Sequence, residues 1–408
     1  VHNIIERIAE RADFLAGLRR DIHAHPELGY EEIRTAGMVA KLLRDWGIEV
    51  TEGIAGTGVV GTLRSGKGRK SIGLTADMDA LPIEEKNIFP HRSRIPGKMH
   101  GCGHDGHTAM LLGAAEYLSR TRCFDGTVHF IFRPAEEGGA GALRMIEEGL
   151  FSRFPCDAVF GMHNVPNLPE GAIGTRAGPI TAGTTEVSVE IRGKGGHAAR
   201  PHLAVDPVAI AAHVVTAAQL LVSRFSNPLA PVVLSITQIE GGSSPTIIPE
   251  SVTMHGTIRT FSEASESALK DGLVSVVNHA CAMFGATGKV HFNPGYPPSV
   301  CAREATALAL DVGRSLLGDA AVFADIEPTM AGDDFSYLLS ACPGAFLFIG
   351  NGNGHHRGTA EGMGPCLVHN PWFDFNDALL PVGAAYWAHL AETFLAAGNG
   401  VTTTVDPR

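Results

Sequence analysis

Ser71-Ile72-Gly73-Leu74-Thr75-Ala76 runs straight into Asp77-Met78-Asp79-Ala80-Leu81-Pro82, and that junction decides how the chain is read. A short apolar run that stops at polar residues reads as a strand buried on both faces. The same form returns twice. Thr127-Val128-His129-Phe130-Ile131-Phe132 ends in Arg133-Pro134-Ala135-Glu136-Glu137-Gly138-Gly139, and Asp157-Ala158-Val159-Phe160-Gly161-Met162 ends in His163-Asn164. Helical patterns at 105–120 and 140–150 separate the three runs, the alternation of a doubly wound α/β sheet. Ligands of such sheets bind beyond the carboxyl ends of the strands. Asp77, Asp79, Glu136, Glu137 and His163 are therefore expected to converge on one crevice.

Between the first two strands lies Met99-His100-Gly101-Cys102-Gly103-His104-Asp105-Gly106-His107. Its thiol, imidazoles and carboxylate are metal-ligand chemistry, although histidine and cysteine are also ordinary core and loop residues. On an extended segment the C-x-H spacing points Cys102 and His104 to the same side. A helix is expected to begin just after Asp105.

Upstream, the pattern predicts an amphipathic helix over 2–20, a turn at His23–Gly29 and a helix over about 31–46 ending at Gly47. His25 and Glu27 read as capping or turn residues as readily as site residues. Gly56-Thr57-Gly58-Val59-Val60-Gly61 has the spacing G-x-G-x-x-G, but it leads into Thr62-Leu63-Arg64 and a turn instead of a helix, so it is a decoy. Residues 57–64 are expected to form a hairpin with 71–76.

Downstream of about Thr181 the pattern changes. A strand at 185–192, a helix at 205–224, strands at 231–240 and 251–261, a helix at 263–285 and a strand at 288–293 follow in turn. The order β-α-β-β-α-β is that of a ferredoxin-like unit. The expected division is 1–180, an inserted domain at 181–294, and 295–408 returning to the first. In the last segment a helix at 303–317, a strand at 344–350 and a terminal helix at 375–397 are expected. The His355-His356 pair, on a glycine-rich loop running to Gly358, reads as solvent-facing or lid residues.

The 408 residues, 44% hydrophobic and 18% charged, suit a packed two-domain protein. A net charge of −11 argues against nucleic acid and anionic membrane partners. No run reaches the ~18 uninterrupted apolar residues of a membrane span. Seven scattered cysteines without C-x-x-C read as reduced thiols, and a cytoplasmic protein is expected. Gly241-Gly242-Ser243-Ser244-Pro245 lacks the G-x-S-x-G elbow of a serine hydrolase.

Taken together, the 77–82, 99–107 and 134–137 stretches, Gly195-Gly196-His197-Ala198 and Leu367-Val368-His369-Asn370 resemble the M20 metallopeptidases, specifically their amidohydrolase branch of hippurate and auxin-conjugate hydrolases. The resemblance spans essentially the whole chain. It implies a zinc-peptidase-like catalytic domain with an inserted dimerisation or lid domain. It also implies two divalent ions (zinc, manganese, nickel or cobalt) held by Cys102, His104, Glu137, His163 and His369. Glu136 would be the general acid/base and Asp79 would orient a ligand from behind. His197 would reach a neighbouring subunit's site and stabilise the oxyanion, and Arg259 would bind the substrate carboxylate. Thr246 stands where relatives carry an asparagine that polarises the scissile carbonyl.

The implied activity is hydrolysis of N-acyl or N-aroyl amino acids by a homodimer or homotetramer. A metallo-dipeptidase or carboxypeptidase, a deacetylase of an N-acetyl diamino acid, and a non-catalytic binder of amino-acid conjugates are the alternatives.

Overall fold

Two separate apolar cores divide the chain. The computed structural model describes residues 2–166, 168–357 and 364–396, so Gly358 and the end of the expected terminal helix lie outside it. The first unit takes the chain up to Ile180, Val300–Glu327 and the chain from Asp333 on; the second takes Thr181–Ser299 with Pro328–Gly332.

The first unit begins with α1 (His2–Ala9) and α2 (Ala12–Ala24), where one helix was expected. Arg11 leaves helical geometry and its N–H closes a tight turn onto the Ile8 carbonyl, which breaks the run. There follow α3 (Ile33–Asp45), β1 (Glu49–Ile54), β2 (Gly58–Ser65), β3 (Ser71–Asp77), α4 (His104–Thr121), β4 (Gly126–Arg133), α5 (Gly141–Glu147), β5 (Ala158–Val165) and β6 (Ile173–Thr175). The second unit contributes β7 (Gly183–Arg192), α6 (Pro207–Leu220), β8 (Val232–Glu240), β9 (Ser251–Thr260), α7 (Glu263–Met283) and β10 (Thr287–Pro294). The chain then completes the first with α8 (Arg303–Leu317), β11 (Val322–Ala324), α9 (Phe335–Ala341), β12 (Gly344–Gly350) and α10 (Leu379–Ala396).

Among the described residues the first unit has one eight-stranded mixed sheet, in the order β1-β2-β4-β3-β5-β12-β6-β11. Its centre is parallel: β3 pairs with β4 and β5, and β12 pairs with β5. Every residue of β3 is buried, as its unbroken apolar run requires. The hairpin of 57–64 with 71–76 is not formed. β4 inserts between β2 and β3, pairing antiparallel with the first and parallel with the second, while β2 turns to β1. The parallel centre brings the ends of β3, β4 and β5 to one edge, carrying Asp77, Arg133 and His163 there.

The second unit is an antiparallel sheet in the order β8-β9-β7-β10. Alternate residues of β7, among them Val187, Val189 and Ile191, are buried, the period of a sheet covered on one face. Asp206 caps α6 through the Val208 N–H, with Pro207 at the first helical position. Past Leu220 the helix widens into a π turn, Leu221–Phe225, where a continuous helix to 224 was expected. Across Pro207–Phe225 an apolar window of mean hydropathy 1.6 is only 22% buried within the chain.

Candidate metal centre

Cys102 and His104 meet through a glycine kink, not through the extended segment expected of them. Gly103 has φ +94, and a Cβ there would meet Asn164 Oδ1 at 2.1 Å. Glycine is the residue that accepts this left-handed, crowded position. His104 then opens α4 one residue before Asp105, with its ring fully buried.

Asp79 sets the tautomer of that ring. His104 Nδ1 lies 2.8 Å from the Asp79 carbonyl and 3.2 Å from Asp79 Oδ1. Both partners are acceptors, so Nδ1 donates, and the neutral ring has its lone pair on Nε2. Burial opposes a charged ring, but Asp77 and Asp79 outweigh burial and raise its pKa, so a metal at Nε2 would displace a proton. Asp79 Oδ2 also accepts the Glu137 N–H at 2.9 Å. His163 is fixed in the same way, with Nδ1 on the Asn164 carbonyl at 2.7 Å and Nε2 turned 3.3 Å from Cys102 Sγ.

Around His104 Nε2 stand Asp77 Oδ2 at 3.8 Å and Glu136 Oε2 and Glu137 Oε1 at 3.9 Å each. Among the described residues His104 Nε2 and Glu137 Oε1 are buried with no hydrogen-bond partner. Glu137 Oε1 lies 3.2 Å from His369 Nε2, but without the alignment of a hydrogen bond. Donors sharing a tetrahedral ion at ~2.0–2.3 Å stand roughly 3.3–3.8 Å apart. Cys102, His104 and His163 form one group whose ligand atoms all lie within 4.8 Å of one another, and Cys102, Glu137 and His369 form another. The donor set fits divalent metal.

Electrostatics point the same way. Asp77, Asp79, Glu136, Glu137, Asp333 and Asp334 crowd this region, with Arg133 as the permanent cation among them. Burial, reinforced by Asp333, Glu137 and Asp334, pushes the Glu136 carboxyl well above the usual range. Burial, with Glu137 adding, likewise holds the Cys102 thiol well up. Burial pushes His163 down to about 3, leaving a neutral ring. Thiolate and carboxylate charge here calls for further cations, which a metal centre supplies.

The backbone at the site is held out of its common regions. Ala135 and His369 both have positive φ, 50° and 62°. Such conformations persist where surroundings over-determine them. Buried Glu32 accepts the Ala135 N–H at 2.7 Å, and the His369 N–H donates to the Gly101 carbonyl at 2.7 Å.

Sequence reasoning gave no role to Arg133, Asp333 or Asp334. Arg133 is fully buried, bonds Asp334, and lies 3.3 Å from Asp77 and 3.5 Å from Asp333. Asp334 in turn donates its N–H to Glu136 Oε1 at 3.3 Å. An arginine ending a buried strand and an Asp-Asp pair opening a helix were the available signals. His107 bridges Asp77, at 2.6 Å, and Asn164. Behind α4, His23 bonds Asp105 at 2.8 Å, and Arg19 ties Asp374 and Asp377.

Glu27 accepts the N–H groups of Arg34 and Thr35, and His25 bonds the Asp21 carbonyl, so both serve turns and caps. Of the His355-His356 pair, His355 is exposed as expected, whereas His356 is half-buried with Nε2 3.2 Å from the Asp374 carbonyl. His197, Thr246 and Arg259 belong to the second unit. Arg259 is half-buried in β9, its Nε donating to Thr257 Oγ1 at 3.2 Å, and burial lowers its pKa.

Residues 73–393 match the model of the peptidase family M20/M25/M40. The chain belongs to this family. Over 396 residues this M20 chain is 38% identical to IAA-amino acid hydrolase ILR1-like 4 of Arabidopsis thaliana, covering 95% of its own length and 88% of that protein. It is 36% identical over 393 residues to hippurate hydrolase of Campylobacter jejuni, covering 96% and 100%. The solved structure of Bacillus subtilis YXEP, a dinuclear metal binding peptidase of the M20 family, matches with a TM-score of 0.81 at 32% identity, covering 95% and 99%. The M20 chain is thus a hydrolase acting on amide bonds.

Proposed function

We propose that this enzyme cleaves the amide bond of N-acyl or N-aroyl amino acids, hippurate-like compounds first, with two divalent ions held by Cys102, His104, Glu137, His163 and His369. The observation that carries this reading is the pair of buried donor atoms without a hydrogen-bond partner, His104 Nε2 and Glu137 Oε1, beside Glu136. The names of the Arabidopsis and Campylobacter relatives support the substrate class. Thiolate, imidazole and carboxylate donors suit zinc, manganese, nickel or cobalt.

When bound, the ions supply a water of lowered pKa, a hold on the carbonyl oxygen, and the positive charge that keeps Glu136 ionised. The rest is the work of this chain. Glu136 Oε1 is held by the Asp334 N–H while Oε2 faces His104. Oε2 takes the proton of the attacking water and delivers it to the departing nitrogen. Asp79 keeps His104 in the ligating tautomer and steadies the Glu137 backbone. His197 donates to the carbonyl oxygen as charge develops there, acting from a neighbouring subunit. Arg259 gives the leaving amino acid's carboxylate a forked partner.

The dimer this requires is supported by the largely unburied apolar window of 207–225 and by β8 at the edge of its sheet. Cytoplasmic residence is supported by the seven free cysteines, which reducing conditions preserve. A panel of hippurate, other acyl amino acids, dipeptides and acetylated diamino acids, assayed with each metal, tests the substrate class. Turnover of acyl amino acids is expected, and cleavage of dipeptides or acetylated diamino acids alone would overturn it.

A further inference from the structure

His197 is presented on a small ribbon of the second unit. The two-residue strands Gly196–His197 and Ile247–Ile248 pair antiparallel, with His197 opposite Ile247. The Ala198 N–H donates to the Thr246 carbonyl at 3.0 Å, and the Arg200 N–H to the His197 carbonyl at 2.8 Å. The backbone on both sides of the ring is thereby fixed.

The ring itself is fixed by Ala199, whose N–H donates to His197 Nδ1 at 3.0 Å. A backbone N–H can only donate, so Nδ1 presents its lone pair and a neutral ring carries its hydrogen on Nε2. Thr246 is also engaged locally. Its hydroxyl lies 3.1 Å from Ser244 Oγ, which accepts the Thr246 N–H at 3.3 Å. The threonine hydroxyl thus engages its own turn, while its carbonyl braces the histidine loop.

We propose that the Ser244–Ile248 segment and Ala199 form a positioning device for His197, an inference that rests on the reading of His197 as a donor to the scissile carbonyl. Ala199 selects the Nε2–H tautomer, so His197 acts as a neutral hydrogen-bond donor. Thr246 is a positioning residue that works through His197 and does not touch the substrate. An aligned donor of this kind carries about 10²–10³ in kcat, and a device that only aims it accounts for part of that.

The test uses the metal-loaded enzyme labelled with 15N-histidine, with His197→Asn assigning the signal. The expected result is an unprotonated Nδ1 and a protonated Nε2 at His197; the opposite tautomer overturns the proposal. Ala199→Pro, which deletes that one N–H, is expected to mix the tautomers and lower kcat about tenfold at unchanged KM and metal content. Should that variant fail to fold, the native spectrum still decides the tautomer, and two milder variants decide the role of Thr246. Thr246→Val and Ser244→Ala are expected to lower kcat alike, by about threefold, with KM unchanged. A rise in KM for Thr246→Val alone would mean substrate contact and would overturn the positioning role. Full turnover by His197→Ala would instead sink the donor reading itself, whatever tautomer the ring holds.

Discussion

The first unit buries most of the groups proposed to act: His104 is 0% exposed, Asp79 1% and Glu136 5%, with His369 the exposed exception. The second carries His197 exposed on a two-residue ribbon and Arg259 half-buried in a strand. In the first, two of the proposed ligands are oriented by groups that are themselves buried: Asp79 fixes His104 and Asn164 fixes His163. In the second, orientation comes from backbone hydrogen bonds within a turn. Burial suits groups that must hold metal and tune charge, because low dielectric strengthens every interaction there. Exposure suits groups that meet a substrate or another subunit. Substitutions in the first unit should therefore abolish chemistry or stability, and those in the second should tune rate, affinity or assembly.

The largest expected effect is on Glu136. Glu136→Gln should lower kcat by about 10³-fold or more while metal content stays at the native level. Retained turnover in a metal-replete variant would break the contrast at its centre.

Next in size is the buried support behind α4. Both ring nitrogens of His23 face carboxylates, Asp105 at 2.8 Å and Glu85 at 3.3 Å. Burial opposes its charged form, but Asp105 and Glu85 outweigh burial and raise its pKa from 6.5 to about 10. A raised folded-state pKa gives stability that is complete below the unfolded value of 6.5 and is lost as pH rises through about 10. His23→Asn should cost about 3 kcal/mol at pH 6. The Tm gap from the native enzyme should narrow as pH climbs from 6.5 to 10, and a constant gap would contradict the charge assignment.

Smaller effects belong to the second unit. Arg259→Ala should raise KM for acyl amino acids about tenfold at unchanged Tm, since it removes a charge-assisted contact worth about 1.5 kcal/mol. A fall in Tm without a change in KM would make it a structural residue. Leu220→Asp, on the exposed face of α6, should shift sedimentation from dimer to monomer while leaving the metal content of each chain unchanged.

The same contrast explains what the sequence could disclose. The strand ends were legible because an apolar run stopping at Asp77, Arg133 or His163 is a local pattern, and the strand-end rule gathers them. Strand pairing was not. The turn between Ser65 and Ser71 suggested a hairpin, but β4, some fifty residues on, takes the place beside β3. Local turn chemistry cannot reveal a strand that inserts from afar.

The charge network was hidden for the same reason. Arg133 meets Asp334 across 201 residues, and Arg19 meets Asp374 across 355. The C-x-H pair was found on partly mistaken grounds: Cys102 and His104 do converge, but through the left-handed Gly103 and not through strand alternation. The M20 resemblance named the ligand set together, whereas spacing alone left His100, Asp105 and His107 equally eligible.

The central claim is that the buried corner of the first unit holds a metal pair. Anomalous diffraction at the absorption edge of the reconstituted metal tests it directly. Two peaks are expected within bonding distance of Cys102, His104, Glu137, His163 and His369, with Glu136 beside them. A single peak, or density centred elsewhere in a fully active crystal, would contradict it.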